Sequence, residues 1–174
     1  MRLDVGLILT LTIKLKNMSD IFEIRKSQVS GLGLFAKKLI KKREQILKFT
    51  GEIISSHGTE KYIPDMGNPL QIGSNEYIDL EEPGVLVNHS CFPNAGIRND
   101  CYLIAIQDIQ PGQEIFYDYS TTMDEDDWTL ECKCGERNCR NIIKDFRYLP
   151  PDIQENYLSL DIVQSYIKEK YYSF

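Results

Sequence analysis

The sequence has no surplus of positive charge: 20 lysines and arginines stand against 26 acidic residues, a formal net charge of −6. A chain that grips nucleic acid through its phosphates normally carries a basic face. Direct nucleic-acid binding is therefore not expected, and a basic partner such as a lysine-rich peptide suits the charge better. Long apolar runs are missing too. The longest is near the N-terminus, in MRLDVGLILTLTIKLKN, and is shorter than the roughly 20 residues a membrane span needs. Lys14 and Lys16 follow it and no small-residue cleavage site appears, so it does not read as a secretory leader. From residue 9 to 16 apolar and polar positions alternate as in a half-buried strand. Met18 opens a clean new segment, MSDIFEIRKS, and is an alternative start. No membrane association is expected. Internal repeats and low-complexity segments are also absent, which excludes solenoids and leaves a single domain with small appendages for 174 residues.

Cysteine is scarce and odd in number, five in all, which speaks against a disulfide framework. Three of the five, Cys132, Cys134 and Cys139, crowd into ECKCGERNCR at 131–140. Two thiols one residue apart are badly placed for two separate disulfides but suit two thiolates on one ion. The spacing points to zinc in a reducing compartment. A structural zinc takes four protein ligands in a tetrahedron, and this segment supplies three. Cys91, Cys101, His89 and His57 are the available completers. Cys101, in NDCYLIAI, sits at the start of an apolar run and reads as a packing thiol. His57 lies in a polar loop. His89 and Cys91 share one loop, and residue chemistry leaves both open.

The rest is mostly β in pattern. Residues 21–25, 45–54 with a break at Gly51, 76–80, 85–87, 102–106 and 114–117 are short apolar or β-branched runs between turns. Residues 37–43 read as a solvated turn or short helix and 55–74 as mostly loop. Pro150, Pro151 and Asp152 signal a helix start. Ile162, Val163, Tyr166, Ile167 and Tyr171 then recur at helical spacing, with their aromatics expected in packing. Four parts are expected: an N-terminal extension at 1–19, a main domain at 20–123, a zinc segment at 124–145, and a helical segment at 146–174.

Three further motifs invite chemistry. GLGLFA at 31–36 formally matches the dinucleotide fingerprint, with Glu52 at a suitable distance. Its lead-in, RKSQVS, is polar, and no alternating helices follow, so the Rossmann reading fails. A tight turn on Gly31 and Gly33, or a bare backbone close to a ligand, remains. VLVNHSCFPN at 85–94 puts polar side chains directly after an apolar run, to bind a ligand or satisfy one another. EIFYDYS at 114–120 puts Tyr117 and Tyr119 on one strand face, lining a pocket or packing across strands. The acidic run DEDD at 124–127 is a solvated loop or steers a basic peptide.

Taken in order, GLGLF, FTGE at 49–52, NHSC-x-PN at 88–94, GQEIFYDY at 112–119 and C-x-C-x4-C at 132–139 resemble the SET-domain protein lysine methyltransferases with a post-SET zinc segment. The resemblance covers residues 20–145. It implies several small β-sheets, with the NHSC and tyrosine segments forming a pseudoknot, a post-SET zinc segment and C-terminal helices. S-adenosylmethionine binds on one face, peptide on the other, and a narrow channel joins them. By likeness, the backbone of Gly31, Leu32, Gly33 and Leu34 cradles the cofactor with Asn88 and His89. Tyr119 is the catalytic tyrosine, aided by Tyr117, and Phe49 and Tyr117 line the lysine channel. Cys91 completes a structural zinc site with Cys132, Cys134 and Cys139. Metal chelation is then expected to disorder the chain after Tyr119 and spare the core.

The implied activity is methyl transfer to a lysine amine of a basic protein or peptide by a monomer or weak dimer. The implied setting is intracellular, cytoplasmic or nuclear, with export to another cell left open. The family often has Tyr where this chain has Phe49, and alternates Phe and Tyr at Tyr117. The two departures pull in opposite directions, Tyr117 toward a single methyl and the missing hydroxyl at Phe49 against it; the expectation is mono- or dimethylation, weighted to mono. Val85, Leu86 and Val87 stand where Arg-Phe is often seen. The contrasting expectation is a catalytically inactive SET-like module that only binds peptide.

Overall fold

The computed structural model describes residues 20–55, 69–126 and 128–172. The N-terminal extension, His57, Asp127 and most of the expected 55–74 loop lie outside them. Among the described residues no helix is long and apolar enough to cross a membrane.

The chain opens as a hairpin of β1 (Phe22–Lys26) and β2 (Leu32–Ala36). Gly31 makes its turn at φ +47, a conformation that costs a residue with a Cβ, and Ser27 N donates to Gly31 O. The outward Arg25 guanidinium lies 4.1 Å from the Phe35 ring centroid. β3 (Gln45–Lys48), β8 (Ala95–Arg98) and β9 (Tyr102–Ala105) form an antiparallel sheet with β9 central. β4 (Gly51–Ser55), β5 (Leu70–Gly73) and β6 (Glu76–Leu80) form another with β6 central. β7 (Asn88–His89) and β10 (Phe116–Tyr117) pair in parallel, joining the two segments expected to form the pseudoknot. β11 (Leu130–Glu131) and β12 (Ile142–Ile143) bracket the cysteine cluster as an antiparallel pair.

The main core gathers Leu34, Ile40, Phe49, Leu70, Leu103 and Ile115, all buried, from six different strands and loops. A second cluster, including Phe146, Tyr157, Ile162 and Ile167, is formed by the C-terminal segment, which carries the helices α1 (Pro151–Ser159) and α2 (Ser165–Tyr172). Pro151 occupies the first turn of α1, where its missing N–H costs nothing. The tail docks at Gly96: a Cβ there would lie 2.6 Å from Ile162 Cγ2, so this strand must expose bare backbone to receive the isoleucine.

Several local expectations change. Residues 85–87 are not a strand: Gly84–Leu86 is a 3-10 turn, with Leu86 N donating to Pro83 O. A proline just before the run and a glycine packed against Phe49 outweigh its β-branched residues. Residues 70–73 form a strand inside the expected loop, because β6 supplies the partner. The 45–54 run breaks at Phe49 and Thr50, one step before Gly51. Strand β8 carried no signal, since Ala and Gly do not advertise a strand. Residues 37–43 hold neither helix nor fully solvated turn: Ile40 is buried and bridges to Ile109. Ile162 and Val163 pack ahead of α2 and not on it.

Candidate active site and metal centre

A cavity of about 320 Å³ opens between the β1–β2 turn, strand β7 and the cysteine segment. Its lining includes Val29, Ser30, Asn88, His89, Tyr119 and Cys132. That volume is within the usual range for a small-molecule site. The turn reaches it through Val29 and Ser30, one step before the glycines singled out from sequence. Leu34 is buried in the core, and Gly33 is needed for a different contact. A Cβ on Gly33 would lie 2.0 Å from Glu114 Oε1 and 3.0 Å from Asn88 Nδ2. Gly31 and Leu32 stay at the turn, and Asn88 Nδ2 donates to Ser30 O (3.2 Å), Leu32 O (3.0 Å) and Glu114 Oε1 (2.9 Å). Glu114 Oε2 also accepts from Ser27 Oγ at 3.0 Å. Asn88 and Glu114 thus fix the shape of the turn that faces the cavity.

Aromatic rings run inward from this cavity. His89 and Tyr119 lie 5.3 Å apart between centroids, Tyr119 and Tyr117 4.8 Å, and Tyr117 and Phe49 5.9 Å. The expected catalytic and channel residues are therefore contiguous. The Tyr119 hydroxyl donates to Val87 O at 2.9 Å. Burial pushes both tyrosine phenols well above their ordinary pKa, with nearby acids adding to it, so both stay protonated near neutrality. Asn94 ties the two segments together: its Nδ2 donates to Glu114 O (2.7 Å) and its Oδ1 accepts from Phe116 N (2.9 Å).

The four thiols Cys91, Cys132, Cys134 and Cys139 converge, with all ligand atoms within 4.8 Å of one another. Cys91 Sγ lies 3.7 Å from Cys132 Sγ. Sulfurs bonded at about 2.3 Å to one tetrahedral zinc are separated by about 3.8 Å, so the donor set and its spacing fit Zn²⁺. Cys101 stays apart, packed against the main core. Gly135 turns the segment at φ +73, and the β11–β12 pair closes it.

His89 joins the two centres. Its Nδ1 accepts the Tyr119 N–H at 3.1 Å, which leaves the ring proton on Nε2, 3.4 Å from Cys91 Sγ. Burial lowers its pKa to about 4, with Arg140 adding to this against Asp118. The ring is therefore neutral, and its 3.5 Å approach to Asp118 Oδ1 is not an ion pair. Both ring nitrogens are used internally, so His89 meets the cavity with its backbone and ring face.

Sequence reasoning passed over Asp118, Arg140 and Tyr157. Asp118 is fully buried and accepts two 2.7 Å hydrogen bonds from the Arg140 guanidinium, plus one from the Tyr157 hydroxyl at 3.1 Å. Position gave a partial signal: Asp118 precedes Tyr119, and Arg140 follows Cys139. Tyr157 gave none beyond an apolar helix position. The acidic run is also put to structural use. Asp124 accepts from Lys170 Nζ (2.5 Å) and Tyr171 OH (2.8 Å) on α2, Asp126 pairs with Arg147, and Glu125 accepts from Tyr77 OH. Asp124 and Asp126 thus tie this run to the C-terminal segment, and Glu125 ties it to strand β6.

Known proteins give the same picture. The SET domain model matches residues 31–120. A variant-silencing SET domain-containing protein of Plasmodium falciparum (isolate 3D7) is 34% identical over 140 residues, 68% of this chain and 5% of the relative. A histone-lysine N-methyltransferase TRX1 of Oryza sativa subsp. japonica is 30% identical over 164 residues, 81% of this chain and 16% of the relative. The chain thus spans only a small part of these relatives' length. In fold it is similar to KRYPTONITE, solved with mCHG DNA and SAH, with a TM-score of 0.56 at 22% identity over 71% of this chain and 29% of that one. It is also similar to the methyltransferase domain of human SETMAR, with a TM-score of 0.53 at 23% identity over 71% of this chain and 58% of that one. From the motif order, the cavity and these matches, the chain belongs to the SET-domain family.

Proposed function

We propose that this chain transfers a methyl group from S-adenosylmethionine to the side-chain amine of a lysine in a basic protein. The observation that carries this reading is the unbroken series from the cavity wall at Asn88 and His89, through Tyr119 and Tyr117, to Phe49. A small-molecule cavity beside a packed row of aromatic rings suits the reaction. The relative named a histone-lysine N-methyltransferase supports the same reaction class.

Bound in the cavity, S-adenosylmethionine supplies a methyl group on a positively charged sulfonium. Val29, Ser30 and Asn88, with Asn88 itself braced by Glu114, would hold it there. Lysine must arrive as the neutral amine, although a free side chain is protonated below about 10.4. Phe49 and Tyr117 are buried with Tyr119 packed against them, and their rings would give the lysine apolar surroundings that disfavour the ammonium form. The un-ionised Tyr119 hydroxyl, anchored on Val87 O, lies where it orients the reacting groups and adds no anion. Alignment then supplies the main acceleration, for which about 7–11 kcal/mol is available at best.

Cys91, Cys132, Cys134 and Cys139 would hold a structural zinc, which would fix the cysteine segment against the NHSC loop beside the cavity. The four thiols must remain reduced for this, so the working compartment is reducing and intracellular. Tyr117 favours a single methyl, whereas Phe49, lacking the hydroxyl often present there, pulls the other way; together they are read as mono- or dimethylation.

Incubating the zinc-loaded chain with methyl-labelled S-adenosylmethionine and a panel of basic proteins tests the reading. Label on lysine is expected. Firm cofactor binding with no transfer to any protein points instead to an inactive peptide-binding module.

A further inference from the structure

We propose that Arg140 and Tyr157, acting through Asp118, are positioning residues for Tyr119, which makes the C-terminal helix α1 part of the active-site framework. The role of Tyr119 that this serves rests on the methyl-transfer reading above.

Asp118 is the N-cap of the 3-10 turn Tyr119–Thr121, and its Oδ1 accepts from Ser120 N at 3.0 Å. The direction of this carboxylate therefore sets the turn on which Tyr119 rides. Two outside segments hold it. Arg140 Nη2 and Nη1 reach Oδ1 and Oδ2 at 2.7 Å each, a bidentate geometry that fixes orientation as well as charge. Tyr157, buried on α1, donates its hydroxyl to Oδ2 at 3.1 Å. Arg140 is itself placed by the thiol centre, because its backbone N–H donates to Cys91 Sγ at 3.4 Å.

One carboxylate thus gathers the tyrosine turn, the cysteine segment and the C-terminal helix. The remaining anchors of Tyr119 lie on β7 and the residue before it, at His89 Nδ1 and Val87 O. Freeing Asp118 leaves those in place and loosens the turn from the other side. Small displacements matter here, since a misplacement of about 1 Å costs on the order of 100-fold in rate.

The test uses the full-length zinc-loaded chain with Tyr157→Phe and Arg140→Lys. The first keeps the ring in its packing and the second keeps the charge. Tyr172→Phe serves as control, removing a hydroxyl that bonds Gln154 and does not reach Asp118. The two test variants should lower kcat by roughly 10-fold, with the KM for S-adenosylmethionine and the zinc content unchanged. They should also speed amide hydrogen exchange at Tyr119 and Ser120 but not in β3, β8 and β9. Because both act through Asp118, the double variant should lose less than the product of the two single losses. The control should match wild type in kcat and in exchange at Tyr119. Wild-type kcat in both test variants, or exchange that rises evenly through the core, overturns the proposal. If the wild-type chain transfers no methyl group, the methyl-transfer reading fails, while exchange at Tyr119 and Ser120 still decides whether Asp118 is the junction.

Discussion

Asp118 and Arg140 meet across two hydrogen bonds of 2.7 Å, joining the residue before Tyr119 to the residue after Cys139. Asp118 has no solvent exposure, so the pair is a buried one. Truncating one member of a buried pair leaves the other unpaired, at a cost of about 3–5 kcal/mol. Arg140→Ala should therefore lower stability by about 3 kcal/mol in thermal or denaturant unfolding of the zinc-loaded chain. Adding Asp118→Asn should recover part of the loss. A neutral Arg140→Ala contradicts the assignment of the pair as a buried one.

Metal removal should act more narrowly than the sequence suggests. From the motifs alone, chelation is expected to disorder everything after Tyr119. The structure gives that stretch other holds: Gln164 N donates to Thr121 O at 3.1 Å and Tyr166 OH to Thr122 O at 2.8 Å. The helices also have their own apolar cluster. Chelation should therefore raise hydrogen exchange across 128–143, leave α1 and α2 protected, and cost activity. Elemental analysis should find one zinc per chain, lost in Cys91→Ser and kept in Cys101→Ser. Zinc lost in Cys101→Ser instead removes Cys91 from the ligand set.

Gly96 tests how the tail is docked. A Cβ there meets Ile162 Cγ2 at 2.6 Å and Cβ at 2.7 Å, atoms of a buried branched side chain with little freedom to retreat. Overpacking of this kind costs about 1–3 kcal/mol. Gly96→Ala should fall in that range by denaturant titration, and Gly96→Ala with Ile162→Ala, which removes Cγ2, should be less affected than the sum of the two changes.

Tyr117 should govern how many methyl groups are added. Its ring lies 5.9 Å from Phe49 and 4.8 Å from Tyr119, so its hydroxyl takes up room in the same passage. Mass spectrometry of a good substrate should show mainly mono- and dimethyl-lysine for the wild-type chain and a shift to higher states for Tyr117→Phe. Mostly trimethyl-lysine from the wild type contradicts this.

Much of the site was legible because its motifs are local and chemically distinctive. Three cysteines within one short segment announce a metal, and the ordered motifs together, more than the tyrosine pair alone, point to the pocket. The fourth ligand was not legible from residue chemistry, since His89 and Cys91 are equally capable. The fold separates them by using the His89 ring between Tyr119 N and Cys91 Sγ. Asp118, Arg140 and Tyr157 come together from positions up to 39 residues apart, and no periodicity carries a contact of that kind. The strand at 70–73 and the turn at 84–86 were misread for a related reason: their form is set by β6 and by Phe49, which a local window does not contain.

The central claim is that Tyr119 at the cavity wall directs methyl transfer to lysine. It is tested most directly by comparing the wild-type chain and Tyr119→Phe, both zinc-loaded, for transfer of labelled methyl from S-adenosylmethionine to a basic protein. The variant should bind S-adenosylmethionine as tightly as wild type and unfold at a similar temperature, yet lose roughly 100-fold or more in kcat. A variant that transfers methyl at the wild-type rate contradicts the account.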